Sequence, residues 1–198
     1  MAILEIIHLP DPRLREKSKD VASDEFGPKL KKLVSDMSET MVWAKGIGLA
    51  AVQVAVMKRL LIIDIGDLDA DDAYVEGDEE SERRLAERRQ SSNVQVFVNP
   101  VIVSASGEIV YEEGCLSVPG VYSDVKRKES MTVRYQDLDG KTHELETKGL
   151  LSIVLQHEMD HLDGVVFTDR LGPMQRMVVL EKYNKMQRKK SEKAKSKA

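Results

Sequence analysis

The stretch LLSIVLQHEMDH, residues 150–161, decides how this chain of 198 residues is organised. Apolar side chains in its first half cover nearly every side of a helix at a spacing of 3.6 residues per turn. A helix that is apolar all round belongs in the interior of a protein. We therefore predict a central helix here, with two histidines and a glutamate near its end.

His157 and His161 lie four positions apart, which places them on one face of that helix. Two imidazoles so arranged can bind one metal ion at about 2.0–2.1 Å each. Glu158 projects about 100° away, too far round to be a natural ligand. It is placed to take a proton from a water activated by the ion, as in other H-E-x-x-H sites. The alternative is two chance histidines, but titratable side chains are rarely buried without partners.

A catalytic site needs a third ligand and an open position, and no histidine follows His161. Cys115, the only cysteine, lies in EEGCLSVPG, where Gly114 and Pro119-Gly120 predict a tight turn. A lone cysteine is often a small buried apolar residue. A cysteine with two histidines would nevertheless complete the ligand set. The single cysteine also excludes an intrachain disulfide, which favours a reducing, cytosol-like compartment.

The stretch GIGLAAVQV, residues 46–54, is a third candidate element. Its glycines allow a ligand to approach the backbone, and the Gln53 amide can donate a hydrogen bond to a developing oxyanion. The alternative is that Gly46 only caps a helix and Gln53 lies on the surface.

The other elements are predicted from periodicity and turn residues. The first is a helix over 24–44 with Ser23 as N-cap. Buried strands follow over 59–64 and 94–106, the second broken at Asn99-Pro100, and then a hairpin over 129–149 around Asp139-Gly140. The last is an amphipathic helix from Pro173 that carries Met177, Val178, Leu180 and Tyr183.

Length and composition predict one domain, because 41% hydrophobic and 32% charged residues are ordinary for a globular protein. No apolar run approaches the roughly 20 residues of a membrane helix, and no signal peptide is predicted.

We expect a catalytic domain over 1–181, in which residues 66–92, with ten acids and four arginines, form a charged surface insertion. Residues 182–198 carry a charge of +7, so the rest of the chain carries −11. Such a tail suits nucleic acid or another acidic surface, or is simply a solvated helix end.

Three stretches in order, GIGLAAVQ (46–53), EGCLS (113–117) and QHEMDH (156–161), resemble the signature motifs of peptide deformylase. HLPDPRLR (8–15) is similar to that family's N-terminal stretch. The resemblance implies an α+β fold with antiparallel β-sheets around a central metal-binding helix and a C-terminal helix, as in the common bacterial branch. It also implies a cytoplasmic enzyme that removes the N-formyl group from the formylmethionine of newly made polypeptides. The implied cofactor is one Fe(II) per chain, with Zn, Ni or Co as substitutes.

The resemblance also implies a role for each matching residue. The implied metal ligands are Cys115, His157 and His161, and the implied general base and acid is Glu158. Gln53 and the Leu116 N–H are the implied oxyanion donors. The implied substrate contacts are the Gly48 backbone and a methionine pocket lined by Ile47, Leu150, Ile153 and Val154. The implied partners are N-formylmethionyl nascent peptides. Because these emerge at the ribosome, the basic tail is predicted to contact ribosomal RNA.

Two other functions compete with this interpretation. A zinc endopeptidase of the H-E-x-x-H type is the first, and the lack of a downstream third ligand argues against it. The second is a non-catalytic metal-binding or nucleic-acid-binding module, but a structural metal site would be closed by a fourth protein ligand, and none is evident.

Overall fold

The structure, a computed structural model, describes residues 2–66 and 93–195. The predicted insertion at 66–92 lies outside this part of the chain, apart from Gly66. Among the described residues, no helix has both the length and the apolar character needed to cross a membrane.

Within residues 2–66 and 93–195, the strands form two antiparallel sheets. The larger has the order β1-β2-β3-β6-β7, and the smaller is the pair β4-β5. Their bounds are β1 Gly48–Ala50, β2 Leu60–Ile63, β3 Gln95–Ser106, β4 Ile109–Glu113, β5 Ser123–Arg127, β6 Ser130–Gln136 and β7 Thr142–Lys148. Together with the three α-helices of the described residues they make the α+β fold that the sequence predicted.

The helices are α1 (Pro28–Trp43), α2 (Gly149–Leu162) and α3 (Pro173–Lys195). The large sheet lies between α1 and α2, and its second strand shows this most clearly. Leu61 and Ile63 join the apolar cluster of α2, whereas Leu60 and Ile62 join that of α1. Burial on both faces explains why β2 is apolar at every position, without alternation. The prediction of a deeply buried helix over 150–161 is confirmed.

Two predicted boundaries were wrong. The first helix begins at Pro28, and Ser23–Glu25 form a separate 3-10 turn whose N-cap is Ala22. Proline suits the first helical position and disfavours helical backbone in the residue before it, so the helix cannot extend back to residue 24. The strand over 94–106 is not broken at Asn99-Pro100. It continues through a register shift there, where Asn99 has a φ of 50° and exchanges hydrogen bonds with the Val21 backbone.

The C-terminal helix buries only part of its predicted apolar set, together with Val179, which lay outside that set. Met177 and Val178 are 62% and 57% exposed, whereas Val179 and Tyr183 are buried. These two pack with Met186 against a cluster that includes Phe167 and Cys115. The Tyr183 hydroxyl also donates to the Leu9 carbonyl at 2.8 Å. Helix α3 therefore supports the turn that carries the cysteine.

Candidate functional site

The predicted ligands come together where β4, α2 and the turn after β4 meet. His157 and His161 lie on adjacent turns of α2, with ring centroids 5.0 Å apart and ring planes at 74°. Cys115 lies in a turn closed by the Val118 N–H, which donates to its carbonyl at 2.9 Å. Its Sγ is 3.2 Å from Nε2 of His161. Among the described residues these three form one cluster, whose ligand atoms all lie within 4.8 Å of one another.

The donor set fits a divalent transition metal, because a thiolate and two imidazoles suit zinc and iron better than calcium or magnesium. The environment of His157 agrees with this. Its Nδ1 lies 2.8 Å from Oε2 of Glu113, so this nitrogen carries the proton and Nε2 remains available as a ligand. A carboxylate behind a histidine is the usual support of a metal-binding imidazole.

The two histidines have opposite electrostatic surroundings. Burial would lower the pKa of His157, but hydrogen bonds with Cys115 and Glu113 outweigh it and raise that pKa well above the ordinary value. Burial, followed by the charge of His157, lowers the pKa of His161 well below its usual range. The His161 imidazole is therefore neutral at pH 7, as a metal site requires of a histidine ligand.

Glu158 is buried beside the cluster, on the side of α2 that faces β1. A Cβ atom added to Gly48 would lie 2.5 Å from its Oε1, so the carboxyl group packs directly against that glycine. Its Oε2 is buried and has no hydrogen-bond partner among the described atoms. Burial raises the pKa of Glu158 to about 7, although nearby His157 acts in the opposite direction. A carboxyl group with this pKa can both accept and release a proton near neutral pH.

Gln53 has a fixed orientation. Its Oε1 accepts from the Ala50 N–H at 2.8 Å, so its amide nitrogen must face the other way. That nitrogen lies 3.3 Å from the Ser117 hydroxyl and 3.8 Å from Cys115 Sγ. Gln53 is buried, which contradicts the alternative of a surface residue. Its amide is thus a donor beside the candidate metal position.

A cavity of about 640 Å³ opens above these groups. Every predicted site residue lines it except His161, which is fully buried. The apolar part of the lining includes Ile47, Leu150, Ile153 and Val154, the residues expected to form a methionine pocket, and also Leu116. Two tyrosines, Tyr111 and Tyr122, also line it and were not predicted.

Four residues that support the site were missed by sequence reasoning. Ser117 touches the Gln53 amide, and Glu113, Arg127 and Asp160 form a buried charged network behind the histidines. A signal existed for three of them, since Glu113, Ser117 and Asp160 lie inside the motif stretches. Arg127 has no such local signal, because its partners are 14 and 33 residues away.

A cysteine and two histidines lie together beside a cavity, with a buried carboxyl group and an amide donor next to them. This arrangement defines a metal-dependent hydrolase. The comparison with known proteins makes this specific. The chain belongs to the polypeptide deformylase family, whose model matches residues 3–177. The resemblance seen in the sequence motifs is therefore confirmed, and with it a hydrolase of protein biosynthesis that acts on formylated peptides.

Relatives match over nearly the whole chain. A peptide deformylase of Erythrobacter litoralis is 47% identical over 190 residues, which are 94% of this chain and 98% of the relative. Peptide deformylase 2 of Xanthomonas axonopodis pv. citri is 48% identical over 189 residues, covering 95% and 98%. The crystal structure of a Legionella pneumophila peptide deformylase is 41% identical with a TM-score of 0.79, covering 96% of this chain and 98% of that one. A Synechococcus elongatus deformylase, solved in complex with actinonin, is 35% identical with a TM-score of 0.77, covering 93% and 89%.

Proposed function

We propose that this protein hydrolyses the N-formyl group of formylmethionine at the start of newly made polypeptides, releasing formate and a free amine. The observation that carries the proposal is the position of Glu158 and the Gln53 amide beside the Cys115, His157 and His161 cluster, at the floor of an apolar-walled cavity. Family membership supports the same reaction.

Cys115, His157 and His161 would hold the metal ion. When bound, the ion supplies Lewis acidity, which polarises the formyl oxygen and lowers the pKa of a water. A thiolate cancels one of the two charges of a divalent ion, so this centre is a weaker electrostatic catalyst than one with three histidines. For that reason we expect activity to depend on which metal is bound, and we propose Fe(II), with Zn, Ni or Co as substitutes.

Glu158 is the general base and then the general acid. It takes a proton from the attacking water, and the oxygen of that water forms a bond to the formyl carbon. When the carbon–nitrogen bond breaks, Glu158 passes its proton to the leaving amine. Its buried position against Gly48 keeps the carboxyl group at one place, and its unpartnered Oε2 leaves an oxygen for this work.

Gln53 and the Leu116 N–H would stabilise the tetrahedral oxyanion. The Gln53 amide is already oriented by the Ala50 N–H, so little reorganisation is needed during the reaction. Preorganised donors of this kind are typically worth about 10²–10³ in kcat each.

The methionine side chain would occupy the apolar wall of Ile47, Leu150, Ile153 and Val154. These residues line the same cavity as Gly48, whose backbone would meet the substrate. An unbranched thioether suits such a wall because it adapts to irregular apolar surfaces. Formyl is the smallest acyl group, so little room is needed at the reacting carbon.

We also propose a division of labour along the chain. Residues 1–181, with the 66–92 insertion, would form the catalytic domain, and residues 182–198 would form a basic tail that contacts ribosomal RNA. Support for the second point is the charge of +7 on this tail against −11 on the rest, since phosphate attracts one and repels the other. The proposed location is the cytoplasm, where formylated nascent peptides are made.

The test is formate release from a formyl-Met peptide by anaerobically purified protein, with metal analysis of the same sample. Formate release without cleavage of internal peptide bonds would support the proposal. Cleavage of internal bonds in an unformylated peptide would instead favour the endopeptidase. Metal analysis of the active fraction separately tests iron as the native ion. Actinonin, present in the Synechococcus elongatus structure, provides a further check, because we expect it to block formate release here.

A further inference from the structure

The side chain of Arg127 contacts both parts of the chain that carry the proposed metal ligands. Arg127 is the last residue of β5 and is only 5% exposed. Its Nε and Nη2 donate to the two carboxylate oxygens of Glu113, at 2.6 and 2.9 Å. Its Nη1 donates to Oδ2 of Asp160 at 2.6 Å. The guanidinium group thus holds two buried carboxylates at once.

Each of these carboxylates lies within two residues of a proposed ligand in the sequence. Glu113 ends β4, two residues before Cys115. Asp160 lies on α2, immediately before His161. The cysteine and the histidines are otherwise on separate elements, so the Arg127 contacts set how the strand that leads to Cys115 lies relative to the histidine helix.

Glu113 also touches a ligand directly. Its Oε2, which accepts from Nη2 of Arg127, lies 2.8 Å from Nδ1 of His157. A bidentate arginine–carboxylate pair fixes the plane of the carboxylate as well as its position. The plane of Glu113 in turn fixes the rotation of the His157 ring, and hence the direction in which its Nε2 points.

The network is closed by Arg170, which donates to both oxygens of Asp160, through its Nε at 3.0 Å and through its Nη2. Two arginines therefore balance two carboxylates. Buried ion pairs often add little to stability compared with apolar residues of similar volume. The benefit of this network is then expected in the geometry that it imposes.

We propose that Arg127 is a positioning residue of the metal centre: it holds Glu113 against His157 and the Cys115 strand against α2, and so controls how tightly the ion is retained. The inference rests on the proposed ligand set. It goes further than that set, because it assigns metal retention to a residue that touches no ligand atom itself.

The test compares Zn(II) affinity among full-length variants, measured under reducing conditions by competition with a chelating dye. Arg127→Lys keeps the charge but loses the two-pronged contact, and Arg127→Met loses both. Loss of an outer partner of a metal ligand typically weakens metal binding about 10–100-fold, and we expect that range for both variants and for Glu113→Gln. With Co(II) in place of zinc, the thiolate-to-metal absorption should also shift.

Arg59→Met is the matched control. Arg59 is largely buried and donates to Asp163 at 2.8 Å, at the C-terminal end of the same helix. This variant removes an arginine–carboxylate contact of α2 without touching Glu113 or Asp160. We expect its zinc affinity and Co(II) spectrum to match those of the unmodified protein.

Thermal unfolding with and without zinc separates positioning from simple stability. A ligand that binds only the folded state raises the Tm by an amount set by its affinity. If Arg127 is merely structural, its replacement lowers the Tm of both forms and leaves the zinc-induced rise in Tm unchanged. If Arg127 is a positioning residue, its replacement reduces that rise.

Arg127→Lys and Glu113→Gln provide the test if Arg127→Met does not fold. Unchanged zinc affinity in both would overturn the inference, and Cys115→Ser with unchanged affinity would overturn the ligand set itself.

Discussion

Gly48→Ala tests the proposed role of Glu158 without changing any polar group. The new Cβ would lie 2.5 Å from Glu158 Oε1 and 2.9 Å from its Cγ, as well as 2.9 Å from Cγ1 of Val154. Ordinary contact begins at 3.4 Å, so the carboxyl oxygen must retreat by about 0.9 Å and the other two atoms by about 0.5 Å. Gly48 is a buried residue of β1, and this strand is held to β2, so the side chains must give way.

The size of the effect follows from that displacement. A misplacement of about 1 Å can cost roughly 10²-fold in rate, so we expect kcat/KM for a formyl-Met peptide to fall by about that factor. Overpacking of this kind costs about 1–3 kcal/mol of folding free energy, which leaves most domains folded. Metal content should be unchanged, because none of the three atoms nearest to the added methyl group belongs to a proposed ligand.

The control is Gly172→Ala, since a Cβ there meets nothing within 4 Å. The double variant Gly48→Ala with Val154→Ala sharpens the test. It removes the contact with Val154 but leaves the one with Glu158, so the rate should stay low. Steady-state kinetics, metal analysis and a melting curve on each sample would decide the matter. If Gly48→Ala keeps its metal and reacts as fast as Gly172→Ala, the position of Glu158 does not govern the rate and its role as base is wrong.

Four other predictions follow from the site and the tail. Glu158→Gln should retain the metal and lose about 10²–10⁴ in kcat; loss of metal together with rate would show that Glu158 is a ligand. Cys115→Ser should weaken metal binding, because a hydroxyl replaces a thiolate, and should abolish deformylation; an active, metal-loaded variant would remove Cys115 from the site. The Fe(II) form should lose activity in air while the zinc form is slower but durable, since a redox-active ion lies beside a lone thiolate; equal rates and lifetimes would contradict this. Deletion of residues 185–198 should preserve turnover of a short formyl peptide but reduce co-sedimentation with ribosomes at low salt; equal pelleting across a salt series would leave the tail as a solvated end.

Local sequence patterns were sufficient to predict the central helix and one hairpin. The run before His157 is apolar on all sides and forms the buried helix α2. The alternation around Asp139-Gly140 forms the hairpin β6-β7. The i,i+4 spacing of the histidines places both on one face of a helix, whatever the tertiary contacts are.

Features set by distant contacts were not predictable in this way. β4 and β5 are short strands separated by the turn that carries Cys115, and their pairing was not predicted. β5 ends in a buried arginine, whereas strand patterns place charged residues in solvent. In α3, the unbroken apolar run at 177–180 offers several faces to the core. Only packing against Phe167 and the cysteine turn selects Val179 over its neighbours.

The N-terminal stretch HLPDPRLR shows why a motif can matter without supplying a site residue. The Ile7 N–H, just before it, donates to the Gln53 carbonyl at 2.8 Å, and the Leu9 N–H donates to the Ser117 carbonyl at 3.0 Å. These two bonds connect the turn of Gln53, the proposed oxyanion donor, to the turn of Cys115. Tyr183 then joins the same segment to α3 through its bond to the Leu9 carbonyl. The chemistry therefore depends on backbone contacts between stretches that lie far apart in the sequence, and side-chain type alone could not reveal them.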